Sequence, residues 1–149
     1  MELKNLFDPT VKQDIIIRIN KLTPQSRPQW GKMNVAQMLA HLQMPIGVAI
    51  GTHELPRTFF GRIVGRFAKT ILYNEKPFKR SLPTDPSFVM TNYEKDFEKE
   101  KQGITIMINN FKEENIVNEL HPFFGKLTKE QWSKGMYKHL DHHLQQFGV

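Results

Sequence analysis

Three of the six histidines fall within five residues, His139-Leu140-Asp141-His142-His143. On a helix, His139 and His143 lie about 6 Å apart along the axis and about 40° apart around it, so both imidazoles can converge on one cation. Trp132, Met136, His139, His143 and Phe147 follow 4, 3, 4, 4 spacing. That spacing carries a single stripe through both histidines and turns them toward an apolar interior. Imidazoles in such a seam need partners, because an unsatisfied buried polar group costs on the order of 1–3 kcal/mol. One metal ion satisfies both; backbone carbonyls or other polar side chains are the alternative. Asp141 lies roughly 160° from His139 around the helix, a poor position for the same ion. The residue after His139 is Leu140, where a His-Glu-x-x-His metalloprotease helix carries its general base, so that chemistry is disfavoured.

A catalytic zinc-type site commonly has three protein ligands and one open position. The preferred third ligand is His41, between Leu39 and Leu42 in the run Gln37-Met38-Leu39-Ala40-His41-Leu42-Gln43. His142, His121 and Gln37 are candidates for supporting the ligands or touching a substrate. For His142, at the stripe's edge, a surface position is the simplest reading. His121 precedes a proline, where holding the turn is the plain role, and His53 beside Glu54 reads as exposed. The chain has no cysteine, which excludes disulfides, a thiolate nucleophile and thiolate zinc sites. Three imidazoles suit Zn, Ni, Fe or Cu.

These residues need a scaffold, and the sequence predicts helices. Asp8-Pro9 followed by Val11, Ile15, Ile19 and Leu22 reads as a cap, a first-turn proline and an apolar stripe that stops near Thr23-Pro24. Asn34 with Gln37 three residues on suggests a capping box opening a second helix, which Pro45 kinks or ends. Phe60, Ile63, Val64, Phe67 and Ile71, with Arg62, Arg66 and Lys69 opposite, describe a short basic amphipathic helix. A loop from Asn74 to Ser87 with Pro77, Pro83 and Pro86 follows. The stretch Tyr93 to Leu120 reads as helix in preference to strand, since Ile104 to Ile108 has no partner strand to pair with. His121 to Gly125 is a structured connection, and Thr128-Lys129-Glu130-Gln131 is a capping box for a last helix running to about Gln146. The expected fold is all-α, a helical bundle in a single domain spanning 1–149, with an additional short basic helix and a Pro-rich loop.

Net charge is +6 at pH 7, and the segment 57–80, with seven basic residues against one acid, carries all of it. A nucleic-acid-coating role is disfavoured because the remaining charges balance. The basic segment could instead rest on an anionic surface or, through Arg57, Arg62 and Arg66, attract an anionic substrate. No apolar run approaches the roughly 20 residues that cross a bilayer, and the N-terminus lacks a signal-peptide core. The expected location is the cytoplasm.

Trp30-Gly31-Lys32-Met33, Gln37-Met38-Leu39-Ala40-His41, His121-Pro122-Phe123-Phe124-Gly125-Lys126-Leu127-Thr128 and Lys138-His139-Leu140-Asp141-His142-His143-Leu144-Gln145-Gln146-Phe147 together resemble the DinB/YfiT-like superfamily of metalloenzymes, in an uncharacterised branch. The resemblance covers most of the chain, and its most specific element is the terminal helix. It implies a four-helix bundle in which one His of the second helix and a His-x-x-x-His pair of the last hold a divalent metal. Matched position by position, these are His41, His139 and His143, the set that the stripe selects; Zn or Ni leads, then Fe or Mn. Characterised relatives include transferases acting on low-molecular-weight thiols and a maleylpyruvate isomerase that uses such a thiol. The implied activity is thiol transfer to a small electrophile, with a homodimer as the implied assembly. Metal-dependent hydrolysis is the alternative chemistry, and a non-catalytic binding module using segment 57–80 is the alternative from another class.

Overall fold

The computed structural model describes residues 2–54, 65, 69–80, 82, 86–121 and 123–149. The described residues are mostly helical, with one small two-stranded sheet among them. Helix α1 spans Pro9–Asn20 and opens as its sequence requires: the Asp8 carboxylate accepts from the Thr10 amide at 2.8 Å, and Pro9 occupies the first turn. Helix α2 spans Val35–Ala49 behind a complete capping box, with Gln37 N donating to Asn34 Oδ1 at 2.8 Å and Asn34 N to Gln37 Oε1 at 2.9 Å. It continues through Pro45, whose missing N–H removes the amide that would otherwise close a turn onto the His41 carbonyl.

Helix α3 spans Phe97–Asn110 and is capped by Asp96, whose carboxylate accepts from Lys99 N at 2.7 Å. The sequence expectation of helix from Tyr93 to Leu120 is corrected here. After Asn110 the chain passes through a 3₁₀ turn, Glu113–Asn115, and then extends. Tertiary hydrogen bonds take over: the amides of Val117 and Asn118 donate to the Ala49 carbonyl at the end of α2, and the Asn118 carbonyl accepts from Trp132 Nε1 at 2.8 Å. Ile104 to Ile108 is helical, as expected.

The connection at 121–125 is a hairpin. Strands β1, Leu120–His121, and β2, Gly125–Lys126, pair antiparallel with His121 opposite Gly125. Thr128 and Gln131 then form the expected capping box, and α4 runs over Lys129–Gln146 before Gly148 turns the chain with φ +77°. Helix α2 packs along α3 and against α4, while α1 touches both α3 and α4. Their shared core holds Ile15 and Ile19, Met38, Leu39 and Leu42, Ile104 and Ile108, and Trp132, Leu140 and Leu144.

Helix α4 buries more than the single stripe its spacing predicted. Ser133, Tyr137, Lys138 and Asp141 are buried as well as Trp132, Met136, His143 and Phe147. The added cover comes from the N-terminal segment, where Leu6 N donates to Ser133 Oγ at 2.7 Å, from Arg18, and from residues 71–74. Of the expected basic helix, Gly65 and residues 69–73 are helical; Arg57, Arg62 and Arg66 lie outside the described residues, as do Pro83 and most of the tip of the Pro-rich loop. Among the described residues, no helix is long and apolar enough to cross a membrane.

Candidate metal centre

His41, His139 and His143 come together between α2 and α4, each offering a ring nitrogen within 4.8 Å of the others. Their ring centroids are 4.8 to 4.9 Å apart in all three pairs. The positioning follows from the helix pattern: His139 and His143 are one turn apart on α4, and His41 lies mid-way along α2 on the side facing it.

Two of the three rings are oriented from behind. His41 Nδ1 lies 2.8 Å from the Phe88 carbonyl oxygen, and His143 Nδ1 lies 2.8 Å from Gln146 Oε1. Both partners are oxygens that only accept, so each Nδ1 carries the proton and each Nε2 keeps its lone pair. Metal-ligating histidines are held in this way, the second ring N–H donating to a carbonyl or carboxylate. Gln146 is itself held, its Nε2 donating to the Trp30 carbonyl. The approach of Gln146 is close: a Cβ built on Gly31, which has φ +86°, would stand 2.5 Å from Gln146 Nε2. The left-handed φ favours glycine there, and any side chain would displace the Gln146 amide.

His41 Nε2 and His139 Nε2 lie 3.0 Å apart. With the His41 proton committed to Phe88, His139 Nε2–H must donate across this gap in the ion-free molecule. A cation would replace that proton. Tetrahedral zinc, with Zn–N near 2.05 Å, sets its nitrogens about 3.3 Å apart. Closing the widest gap from 4.8 Å asks under about 1 Å of movement from each ring, so the donor set fits a divalent ion of this size.

Burial keeps all three imidazoles neutral at pH 7, so a cation has one proton to displace, the one on His139 Nε2. His143 is pushed down to about 3, by burial first and by His41 next, with its Gln146 bond opposing. His139 is held well below the ordinary histidine range by burial, then by His143, His41, His142 and His121. His41 is lowered by burial and partly restored by its bond to the Phe88 carbonyl.

The remaining sequence candidates separate. Gln37 does not serve the cluster: its Oε1 closes the α2 capping box, and its Nε2 donates to the carbonyls of Thr91 and Tyr93. His121 holds the hairpin, Nδ1 accepting from the amides of Phe123 and Phe124 at 3.1 and 3.2 Å, with its ring against Trp132. His53 is exposed. The surface reading of His142 is corrected. Its ring is half-buried, with centroids 5.7 Å from both Trp30 and Phe78 and 5.1 Å from His143, because segments 29–31 and 77–80 close over that side of α4. Asp141 points away from the cluster, as its helix angle requires, and pairs with Arg18 at 2.8 Å.

Sequence reasoning missed Phe88 and Gln146. Gln146 stands three residues after His143, the spacing at which helix neighbours meet, so that signal was available. Phe88 acts through its main chain, which no side-chain pattern reveals.

The profile of a family described as "Protein of unknown function (DUF1569)" matches residues 4–148. The chain belongs to this family. No curated protein and no solved structure matches it. Membership in DUF1569 brings no activity with it, so the chemistry of this DUF1569 protein must be argued from the three imidazoles and their surroundings.

Proposed function

We propose that this DUF1569 protein is a metal-dependent enzyme whose divalent ion is held by His41, His139 and His143, in a single-domain four-helix bundle of DinB/YfiT type. The observation that carries the reading is the commitment of the His41 and His143 Nδ1 protons to Phe88 and Gln146, which leaves unprotonated nitrogens facing one point. Zn and Ni suit three neutral imidazoles best, ahead of Fe and Mn.

A bound ion supplies Lewis-acid activation of a small thiol or water, and so the nucleophile that a chain without cysteine lacks. The chain's own residues do the rest. Phe88 and Gln146 fix the tautomers of the rings behind the ion, and burial keeps those rings from protonating near neutral pH. His142 bridges the cluster to the aromatic pair Trp30 and Phe78. The proposed reaction is transfer of a low-molecular-weight thiol to a small electrophile.

Elemental analysis of protein purified without a His-tag tests the ion. Stoichiometric metal in the wild type, lost in folded His139→Ala and His143→Ala variants, is the expected result. A metal-free wild type that takes up no Zn or Ni on titration sinks the proposal. A thiol-transfer assay with several small thiols and model electrophiles then tests the reaction, and activity that survives complete chelation removes the ion from it.

A further inference from the structure

A cleft of about 310 Å³ lies along a different side of α4 from the histidine cluster, between that helix and segments 29–30 and 77–80. Lys138, Asp141, His142 and Gln145 line it from the helix, and none of His41, His139 and His143 does. Its size falls at the small-molecule end of ligand sites. Three features define what it would accept.

Its walls are aromatic: Trp30 and Phe78 flank His142, each 5.7 Å from that ring. Its charge is positive. The guanidinium of Arg80 lies over the face of Trp30 at 4.4 Å, and no carboxylate among the described residues pairs with it. Asp141, the acid on the lining, is neutralised elsewhere, one oxygen on Arg18 at 2.8 Å and the other accepting from Gln145 Nε2 at 2.7 Å. The third feature is directional. A guanidinium held over an indole by its charge keeps N–H donors that the ring does not take up, and its planar fork matches a carboxylate. Lys138 adds field but no contact, since its ammonium already has three acceptors, the carbonyls of Ile71 and Asn74 and the Asn74 side-chain oxygen. Among the described residues the cleft offers one guanidinium fork with no carboxylate on it and no second donor cluster beside it, which suits a carboxylate better than a phosphate dianion.

We propose that this cleft binds a small planar carboxylate, with its flat body against Trp30 and Phe78 and its charge on Arg80. The inference stands apart from the metal reading, because no ligand to the ion takes part.

Benzoate is the probe, with benzamide as its uncharged counterpart, titrated into the isotope-labelled full chain and followed by NMR at the Trp30 indole and Gln145 amide resonances. Benzoate is expected to shift both saturably, equally with and without EDTA. Benzamide and the Arg80→Ala variant are each expected to bind about 10-fold more weakly, the loss of one charge-assisted hydrogen bond, with Arg80→Lys intermediate. Arg80 is exposed, so its replacement leaves the core intact. Absence of a Trp30 shift, equal binding of benzamide, or full affinity in Arg80→Ala overturns the proposal. So does benzoate binding abolished by EDTA, which would place the carboxylate on the ion; the metal reading would survive that outcome.

Discussion

Acidification should unfold this protein through its buried imidazoles, and His143 permits the size of the effect to be worked out. Its folded pKa is pushed down to about 3, against about 6.5 in the unfolded chain. The unfolded state therefore binds a proton that the folded state refuses. The stability from this residue is fully present above pH 6.5 and is lost as pH falls from there toward 3. Between pH 7.5 and 5 the loss from His143 alone is about 2 kcal/mol, with a limiting slope of about 1.4 kcal/mol per pH unit. His41 and His139, both lowered, add loss of the same sign. That is a large share of the 5–15 kcal/mol typical of a domain. Urea unfolding followed by helical circular dichroism at pH 7.5, 6 and 5, in EDTA, measures it. The wild type should lose at least about 2 kcal/mol over this range, and His143→Gln should lose about 2 kcal/mol less. A flat wild-type profile, or an unchanged slope in the variant, would refute the picture of neutral, desolvated rings. Adding Zn should stabilise the native state by about 2.7 kcal/mol at a hundred times its Kd and steepen the pH dependence, since protons and metal compete for the same nitrogens.

Gln146→Leu removes the acceptor behind His143 and the donor to Trp30; metal affinity, read by competition with a chromophoric chelator, should fall about 10–100-fold with the helix retained. Gly31→Ala places a Cβ 2.5 Å from Gln146 Nε2 at a φ of +86°, so it should destabilise by more than about 1 kcal/mol in urea and also weaken metal binding. Thr128→Ala deletes the cap of α4, whose hydroxyl accepts from Gln131 N at 3.1 Å. It should cost about 1 kcal/mol of stability in the same assay and leave metal affinity unchanged, separating helix capping from the site.

Much of the helical scaffold was legible because its signals are local. Asp8-Pro9, the Asn34/Gln37 box and the Thr128/Gln131 box each satisfy backbone amides within three or four residues, so the starts of α1, α2 and α4 stand where their caps do. The end of α3 was not legible. Beyond Asn110 the extended chain is held by bonds that join Val117, Asn118 and Trp132 to groups distant in sequence, and a helix-compatible composition cannot report them. The same holds for the far end of α2, where the run through Pro45 depends on packing that offsets the lost hydrogen bond.

The histidine cluster divides along that line. Spacing alone determined that His139 and His143 share one face of α4, because helix geometry sets the angle between residues four apart. Spacing also pointed to His41, since an imidazole between leucines on an amphipathic helix turns inward. Only the tertiary structure decided how those rings are used. It brings Phe88 and Gln146 behind them to direct their lone pairs, folds Trp30 and Phe78 over His142, and buries Lys138 on carbonyls from residues 71 and 74. Apart from Gln146, which shares α4 with His143, each of these depends on segments far apart in the chain meeting at one place, and a periodic pattern within one element carries no information about which other segment will pack against it.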